Sequence, residues 1–407
     1  MKPIDAAAIA RDLAALARFG ALPSGGVTRL ALTAEDAAAR RWAADRLRGI
    51  GCDVRVDAIG NLRARRPGRE PSAPAIWTGS HLDTVPEGGR YDGAAGVVAA
   101  IAAIEAFGRD ATRAPIEVVA FLGEEGSRFP RGTLGSAVVA GDVSIDEAMA
   151  LRDPSGVTLR EALAAHGDAG SLPARVAPGE VGAYVELHVE QGGVLEGTGA
   201  EIGVVETIAG LTQLVVTVVG EANHAGATPM DRRRDALAAA AELVLAVEEL
   251  PRGVDGYAVA TVGNVVASPG AFNIIPGRVE VHVDMRASRP DALETLEHNV
   301  RHAATLVWSK RRTDVTVARR QHVAPGPMSP EVVAVIESAC RDAGRRFLRM
   351  PSGAVHDALH MAVMAKTGMI FVPSIGGRSH CPAESTRVED LAIGAEVLAR
   401  TLLRLAA

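Results

Sequence analysis

Short apolar runs bounded by Gly, Pro or polar residues recur along the chain, at residues 75–78, 116–122, 183–187 and 369–372. Runs of this length with such boundaries are typical of strands that are buried on both faces. Segments with a helical pattern lie between them, for example at residues 93–107 and 155–165. This alternation predicts an α/β fold whose main sheet is largely parallel.

Side chains that can bind metal ions follow these runs. Five of them lie at or just beyond the carboxyl end of a predicted strand, and Asp92 opens a helix after a short loop; the five are His81, Glu124, Glu125, His188 and His380. In an open α/β sheet, residues at the carboxyl ends of strands converge although they are distant in sequence. A lone histidine is more often structural, but the whole set offers enough donors for two divalent ions that share one carboxylate. One glutamate of the pair can bind metal while its neighbour transfers protons, so the pattern predicts a metal-dependent hydrolase.

Chain length, net charge and cysteine content limit the classes of protein to which the sequence can belong. A chain of 407 residues is long for a single core, so two domains are expected. The net charge of −6 offers no basic face for nucleic acid, and no apolar run is long enough to span a membrane. The three cysteines are too few and too scattered for a disulfide framework. A cytoplasmic location is the simplest expectation.

The stretch from residue 211 to residue 320 has a different pattern. Its predicted elements follow the order βαββαβ: strand 211–219, helix 231–250, strands 257–268 and 278–286, helix 290–307 and strand 314–320. This is the order of the ferredoxin-like split βαβ unit. Because it starts and ends inside the larger domain, we expect an inserted domain at 211–320 and a catalytic domain formed by 1–210 and 321–407.

Seven motifs extend the metal-binding pattern, and they occur in the order GSHLDTVPEGGRYDG, GEEGSRF, ELHVEQG, NHAGATPMDRRRDA, NIIPG, VDMR and SHCPAE. From about residue 20 to its end, the chain resembles the amidohydrolase branch of the dinuclear metallopeptidase superfamily. The members most similar to it are N-carbamoyl-L-amino-acid hydrolases, allantoate amidohydrolases and β-ureidopropionases. The peptidase branch usually has a carboxylate where this chain has His188, which favours the ureido-cleaving branch.

The resemblance implies roles for the six donors. His81, Asp92 and His188 would bind one ion, and Asp92, Glu125 and His380 would bind the other, so that Asp92 is the bridge. Glu124 would be the general base. Two divalent ions per subunit are expected, with zinc first and manganese, cobalt or nickel as alternatives, since mixed histidine and carboxylate sites bind several of these metals.

Asp83 lies two residues after His81. A carboxylate there would accept the second imidazole N–H of His81 and fix its tautomer. The alternative is a solvated loop aspartate, which the apolar context Leu-Asp-Thr-Val disfavours.

Substrate-binding roles also follow from the resemblance, for Gln191, His224, Asn273, Arg286 and Gly353. Without it, Arg286 would be interpreted as an ordinary arginine at a strand end. A guanidinium offers two parallel hydrogen bonds to a substrate carboxylate, and an imidazole can stabilise a developing oxyanion. His224 would have the latter role, Asn273 would fix the substrate, and Gln191 would line the pocket. Gly353 would offer backbone groups close to the substrate.

Two departures from the family pattern concern substrate specificity and leave the chemistry intact. Val355 stands where Ser-Gly-Ala-Gly-His-Asp usually has its second glycine, and Gly193 replaces a usual proline. Nearby His356 fits a structural role at a helix start and a contact with the site equally well.

The resulting hypothesis is hydrolysis of the ureido C–N bond of an N-carbamoyl-L-amino acid, which carries a carboxylate. Allantoate amidohydrolase is the alternative with the same machinery. An aminoacylase or dipeptidase is disfavoured by His188, and a non-catalytic scaffold by the intact donor set. The resemblance also implies a homodimer formed through residues 211–320, in which His224 reaches the metal site of the partner.

Overall fold

The computed structural model describes residues 1–108, 112–166 and 170–407. Its helices are α1 (Ala6–Leu16), α2 (Ala34–Gly49), α3 (Ala94–Glu105), α4 (Leu134–Ala140), α5 (Ile145–Ala150), α6 (Leu159–His166), α7 (Val194–Thr198), α8 (Ala236–Glu249), α9 (Pro290–Arg311), α10 (Pro330–Asp342), α11 (Ala358–Met364) and α12 (Val388–Leu405). Its strands are β1 (Asp53–Val56), β2 (Leu62–Arg66), β3 (Ala75–His81), β4 (Ile116–Phe121), β5 (Val181–Val189), β6 (Ile202–Ile208), β7 (Gly210–Val219), β8 (Asn223–His224), β9 (Ala258–Ser268), β10 (Ile274–Ile275), β11 (Arg278–Ala287), β12 (Asp314–Val323), β13 (Gly326–Pro327), β14 (Phe347–Ser352) and β15 (Lys366–Val372).

The chain divides into two compact units. The first comprises Met1–Glu206, Pro327–Met350 and Ala354–Ala407. The second comprises Thr207–Gly326 together with the short segment Pro351–Gly353. The fold is thus mixed α/β, and each unit is described below by itself.

A large sheet organises the first unit. Its strands follow the order β1-β2-β4-β3-β5-β15-β6-β13, and β14 also pairs with β6. The four neighbours β4, β3, β5 and β15 are parallel, whereas the outer pairs β1–β2, β2–β4 and β15–β6 are antiparallel. Every residue of β3 and β4 is buried, because helices and loops cover both faces of these apolar strands. The prediction of a largely parallel main sheet is confirmed for these central strands.

The second unit contains a four-stranded antiparallel sheet in the order β12-β7-β11-β9. Strand β11 alternates strictly, so Val279, Val281, Val283 and Met285 are buried in one core with residues of α8 and α9. The intervening side chains therefore lie on the opposite face of the sheet. Arg286 is one of them.

Two helices begin later than the sequence pattern predicts. Helix α8 begins at Ala236 and not at residue 231, because Met230–Arg232 forms a 3-10 turn after Pro229. The side chain of Asp235 then accepts hydrogen bonds from the N–H groups of Leu237 and Ala238, which fixes the helix start. Helix α6 begins at Leu159 and not at residue 155.

None of the helices in the described ranges is both long enough and apolar enough to cross a membrane.

Candidate metal centre and active site

The predicted metal ligands of the first unit converge at one edge of the large sheet. His81 is the last residue of β3, His188 is close to the end of β5, and Glu125 follows β4, directly after the predicted general base Glu124. His380 lies in the loop after β15, and Asp92 precedes α3. Because β4, β3, β5 and β15 are adjacent and parallel, their carboxyl ends bring these side chains together.

Asp92 is the centre of this cluster. Its Oδ1 lies 3.4 Å from Nε2 of His81 and 3.2 Å from Nε2 of His188. Its Oδ2 lies 3.4 Å from Nε2 of His380, whose Nε2 is also 3.6 Å from Oε2 of Glu125. His81, Glu124 and Glu125 form one group of donors whose ligand atoms lie within 4.8 Å of one another, and Asp92 belongs to two further groups of this kind, His81–Asp92–His188 and Asp92–Glu125–His380. Asp92 directs one carboxylate oxygen to each of these two further groups.

The two buried imidazoles are oriented by backbone carbonyl groups. Nδ1 of His188 is 2.8 Å from the carbonyl oxygen of Val189, and Nδ1 of His81 is 3.0 Å from that of Asp83. A carbonyl oxygen only accepts, so Nδ1 carries the proton in both neutral rings. Nε2 therefore presents its lone pair to the cluster, as metal binding requires.

The expected hydrogen bond from His81 to the Asp83 carboxylate is not formed, since Nδ1 and Oδ1 are 3.8 Å apart. The carboxylate accepts instead from the backbone N–H groups of Glu124 and Glu125, each at 3.2 Å. Asp83 therefore supports the centre in two ways. Its carbonyl oxygen orients the imidazole, and its carboxylate holds the turn that carries both glutamates.

Burial and neighbouring charges shift the acidity of the carboxyl groups. Burial alone would raise the pKa of Asp92, but the imidazoles around it, when they are protonated on both nitrogens, hold that pKa well below its usual range through the charge of His188 and through hydrogen bonds to the carboxylate. Burial, followed by the charge of Asp92, raises the pKa of Glu125 to about 7. Burial also raises the pKa of Glu124 well above its usual value, against the effect of His81. The cluster thus holds more buried acidic groups than its own imidazoles neutralise.

A divalent cation would resolve this excess of negative charge. Oε1 of Glu125 is buried and has no hydrogen-bond partner, although an ionised carboxylate oxygen in such a place requires one. Imidazole nitrogen and carboxylate oxygen are typical ligands of zinc and related ions. The residues present therefore fit divalent metal binding.

Left-handed backbone conformations occur at the edge of the centre. His380 has φ of 55° and Gln191 has φ of 63°, which are uncommon for residues other than glycine. Gly93 has φ of 63°, and a Cβ atom there would overlap the ring of His81. Unfavourable conformations of this kind are often found at functional sites.

Gln191 contacts the cluster directly. Its Nε2 donates to Oδ2 of Asp92 at 2.7 Å, whereas its Oε1 is buried without a partner. The predicted pocket residue therefore lies against the shared carboxylate.

The remaining predicted substrate residues lie in the second unit. His224 is exposed, and its Nδ1 accepts from the N–H groups of Gly226 and Ala227 at 3.0 and 3.1 Å. In the neutral ring the proton is then on Nε2, which leaves His224 as an outward-facing donor. The carbonyl oxygen of Asn273 accepts from the N–H of Ala225, so the two predicted residues are close together: His224 ends β8, and Asn273 directly precedes β10, with which β8 pairs.

Arg286 and Gly353 are in contact. Nη1 of Arg286 donates to the Gly353 carbonyl oxygen at 2.8 Å, and Nε donates to Oδ1 of Asp284 at 3.0 Å. These hydrogen bonds do not use Nη2, so that edge of the guanidinium can bind a carboxylate. Gly353 has no room for a side chain, because a Cβ atom there would overlap the hydroxyl of Tyr257.

Several polar residues around the centre were not identified from the sequence. Oε1 of Glu186 accepts from Ser80 at 2.8 Å, and Oε2 accepts from Tyr184 and from the N–H of Ala358, each at 3.1 Å. Glu186 also forms a donor group with His188 and His356. Its position two residues before His188 was the available signal, since alternate residues of a strand share a face.

His356 and Asp357 precede α11. His356 is buried, and its ring lies 4.5 Å from that of His188, so it contacts a predicted ligand and also occupies a helix start. Oδ1 of Asp357 accepts from Ser136 at 2.5 Å, and burial raises the pKa of Asp357 to about 8. Ser379 and Glu384, in the loop that carries His380, were also missed. Both belong to the motif SHCPAE, so their proximity to His380 in sequence was the signal.

Known proteins resemble this chain in sequence and in fold. A sequence model described as Peptidase family M20/M25/M40 matches residues 77–404. The chain is 43% identical over 395 residues to an N-carbamoyl-L-amino acid amidohydrolase of Geobacillus stearothermophilus, and the match covers 96% of each chain. It is 37% identical over 399 residues to an allantoate amidohydrolase of Bacillus subtilis, with 96% of this chain and 95% of the relative covered. The crystal structure of an amidase of the hydantoinase/carbamoylase family from Burkholderia multivorans superposes with a TM-score of 0.96 at 36% identity, covering 99% of this chain and 98% of that one.

Proposed function

The chain belongs to peptidase family M20/M25/M40, and from this premise we propose that it hydrolyses the ureido C–N bond of N-carbamoyl-L-amino acids. The products are the free amino acid and carbamate, which breaks down to CO2 and ammonia. One observation carries the proposal within this family: the nitrogen donor His188, 3.2 Å from Oδ1 of Asp92, stands where peptidase members usually have a carboxylate. The N-carbamoyl-L-amino acid amidohydrolase among the relatives, at 43% identity, supports the same substrate class.

Two divalent ions per subunit are part of the proposal, with zinc first and manganese, cobalt or nickel as alternatives. His81, Asp92 and His188 would hold one ion, and Asp92, Glu125 and His380 the other. Bound there, such ions would polarise the ureido carbonyl group and lower the pKa of a water molecule.

Glu124 moves the proton in this mechanism. Its backbone N–H is held by Asp83, and its Oε2 lies 3.7 Å from Nε2 of His81, so the carboxylate is fixed beside the first ligand group. The ionised carboxylate accepts a proton from the attacking water, and the water oxygen bonds to the ureido carbon. Glu124 then donates the proton to the nitrogen of the amino acid as the C–N bond breaks.

The substrate-binding residues of the second unit have separate roles in the proposal. Arg286 binds the substrate carboxylate through its Nη2 edge, which the hydrogen bonds to Asp284 and Gly353 leave available. His224 donates from Nε2 to the developing oxyanion. Asn273 fixes the ureido group, and Gln191 of the first unit lines the pocket.

We also propose that the second unit is an inserted ferredoxin-like lid and dimerisation domain, because the strands of its four-stranded sheet and the helices α8 and α9 follow the order βαββαβ along the chain. The chain would act as a cytoplasmic homodimer in which His224 serves the partner's metal site. The family resemblance supports both parts of this proposal.

A substrate panel tests the proposed function. The metal-loaded enzyme is incubated with N-carbamoyl-L-amino acids, their D-enantiomers, allantoate and N-acetyl-L-amino acids, and ammonia and free amino acid are measured together. We expect equal amounts of both products from N-carbamoyl-L-amino acids. Ammonia without amino acid from allantoate at a higher kcat/KM would assign the enzyme to allantoate, and amino acid without ammonia from N-acetyl substrates would make it an aminoacylase.

A further inference from the structure

Glu384 is a buried carboxylate at the edge of the metal centre, with a side chain only 5% exposed. Its Oε1 accepts hydrogen bonds from two consecutive backbone N–H groups, those of Tyr91 at 2.8 Å and of Asp92 at 3.0 Å. Its Oε2 accepts from the hydroxyl of Ser379 at 3.1 Å. One carboxylate thus joins the backbone that carries Asp92 to the residue that precedes His380.

Ser379 extends this connection to the ligand atoms. Its hydroxyl also lies 2.9 Å from Oδ2 of Asp92, the oxygen that faces His380. A hydroxyl has a single hydrogen, so Ser379 donates to one of the two carboxylates at a time, and it stands between them in either case. The backbone of Asp92 and one of its carboxylate oxygens are therefore both held from the loop that carries His380.

A glycine next to Glu384 also leaves the space that the carboxylate occupies. Gly89 precedes the Asp92 turn, and a Cβ atom at Gly89 would overlap the Glu384 carboxylate. Within its own loop, the N–H of Glu384 donates to the carbonyl oxygen of Cys381 at 3.0 Å, which closes a turn directly after His380. His380, directly before this turn, has a left-handed backbone conformation with φ of 55°.

From these contacts we propose that Glu384 is a positioning residue that fixes the Asp92 and His380 loops at the separation that metal binding requires. It is not proposed as a ligand, because among the described residues Glu384 belongs to none of the groups of side chains whose ligand atoms lie within 4.8 Å of one another. The inference rests on the proposed metal site and names a residue that determines its affinity. Residues that support metal ligands in this way typically change metal affinity by about 10–100-fold when they are removed.

The test compares metal affinity in four variants by competition with a chromophoric chelator, without any substrate. Glu384→Ala should weaken Zn²⁺ binding by about tenfold or more. Glu384→Gln should restore most of the affinity, because its amide oxygen can accept from Tyr91 and Asp92 while its NH2 group donates to Ser379. Ser379→Ala removes only a hydroxyl, so it keeps the fold and should give a smaller loss. In the double variant Glu384→Ala/Ser379→Ala the two losses should not multiply, since both residues act through the same loop.

Asp153→Ala is the matched control. Asp153 accepts from the N–H groups of Ser155 and Val157 and from the Ser155 hydroxyl, so it makes the same kinds of hydrogen bond, and it also forms an ion pair with Arg128 at 3.1 Å. The loop of Asp153 itself contains no proposed metal ligand. Unfolding by urea measures stability in every variant, and the visible spectrum of the Co²⁺-loaded protein reports ligand geometry. We expect an altered Co²⁺ spectrum for Glu384→Ala and an unchanged one for Asp153→Ala.

Two results would overturn the inference. One is a Zn²⁺ affinity within threefold of wild type in both Glu384→Ala and Ser379→Ala. The other is an equal loss of affinity in Asp153→Ala, which would show that metal binding only follows general stability. If Glu384→Ala does not fold, the Zn²⁺ affinities of Glu384→Gln and Ser379→Ala are compared instead. The inference then requires Ser379→Ala to bind Zn²⁺ more weakly than Glu384→Gln. Neither result depends on which substrate is cleaved, so a failed substrate panel leaves this test intact.

Discussion

Glu124 and Glu125 are neighbours in sequence, but their carboxylates have different surroundings. Oε2 of Glu125 lies 3.6 Å from His380, and its Oε1 is buried without a partner, as suits a metal ligand. We expect Glu124→Gln to keep its metal and to lose nearly all turnover, because only the proton carrier is removed. Glu125→Gln should lose one ion. Metal analysis of the purified variants distinguishes them, and an emptied site in Glu124→Gln would contradict the assigned roles.

Gly353 gives a second prediction at the scale of single residues. Gly353→Ala should force the hydroxyl of Tyr257 away, because the new Cβ atom would overlap it. The Gly353 carbonyl oxygen, which accepts from Arg286, should shift as well. We expect a higher KM for N-carbamoyl-amino acids with a smaller change in kcat.

Tyr257→Phe provides the control for this prediction. Adding it to Gly353→Ala removes the overlapping oxygen and should restore part of the KM. If the double variant binds substrate no better than Gly353→Ala alone, steric overlap with Tyr257 is not the cause of the defect.

At the scale of elements, the start of helix α2 contains a buried carboxylate. Asp36 accepts from the N–H of Leu32 at 2.8 Å, and burial raises its pKa from 3.8 to about 6 against the effect of Arg40. A pKa that is higher in the folded state favours the protonated form on folding. The contribution of Asp36 to stability is therefore most favourable below about pH 4 and is lost as the pH rises through about 6.

Asp36→Asn removes this titration and can retain the acceptor for Leu32. We expect the variant to gain stability relative to wild type between about pH 4 and about pH 6, by up to about 3 kcal/mol. Urea unfolding of both proteins in the presence of a chelator measures the difference without a contribution from metal. A stability difference that stays constant across this range would show that Asp36 does not titrate as described.

Strands with a regular pattern of apolar residues could be predicted from the sequence. The strands that carry the metal donors were predicted because their apolar runs end at polar ligands, and strict alternation placed β11 at residues 278–286, against the observed Arg278–Ala287. The start of α8 could not be predicted in this way. It depends on which residue caps the helix, and Asp235 competes for that position with residues nearer Pro229.

The residues of the candidate metal centre could likewise be predicted from the sequence only in part. The cluster of possible metal ligands could be predicted, because histidine and carboxylate side chains follow the ends of adjacent parallel strands and match the pattern of a family. Glu384 lies close to His380 in the motif SHCPAE, but its role could not be predicted, because that role depends on hydrogen bonds to the backbone N–H groups of Tyr91 and Asp92, and any residue type except proline offers such a group. The carboxylate of Asp83 was misassigned for the same reason, since it holds the N–H groups of Glu124 and Glu125.

At the scale of the whole molecule, the proposed dimer can be tested by mixing subunits. Subunits with Glu124→Ala are dissociated and reassociated with subunits with His224→Ala. If His224 serves the partner's site, each mixed dimer has one doubly damaged site and one intact site. Random pairing makes about half of the dimers mixed, so roughly a quarter of wild-type activity should return under two-fold symmetry.

Each parent variant reassociated with itself is the control, and mass spectrometry confirms that mixed dimers form. A mixture as inactive as its parents would mean that His224 serves its own subunit, because every site then carries one lesion.

The second unit is not formed by one continuous segment of the chain. The polypeptide passes between the units at four places, and the short return Pro351–Gly353 supplies the carbonyl oxygen that holds Arg286. A chimera that exchanges only the continuous segment Thr207–Gly326 with that of a relative would separate Arg286 from its own Gly353. Because Gly353 also has to leave space for the hydroxyl of Tyr257, we expect a chimera to keep this fit when both segments are transferred together, although 24 residues of the first unit lie between them.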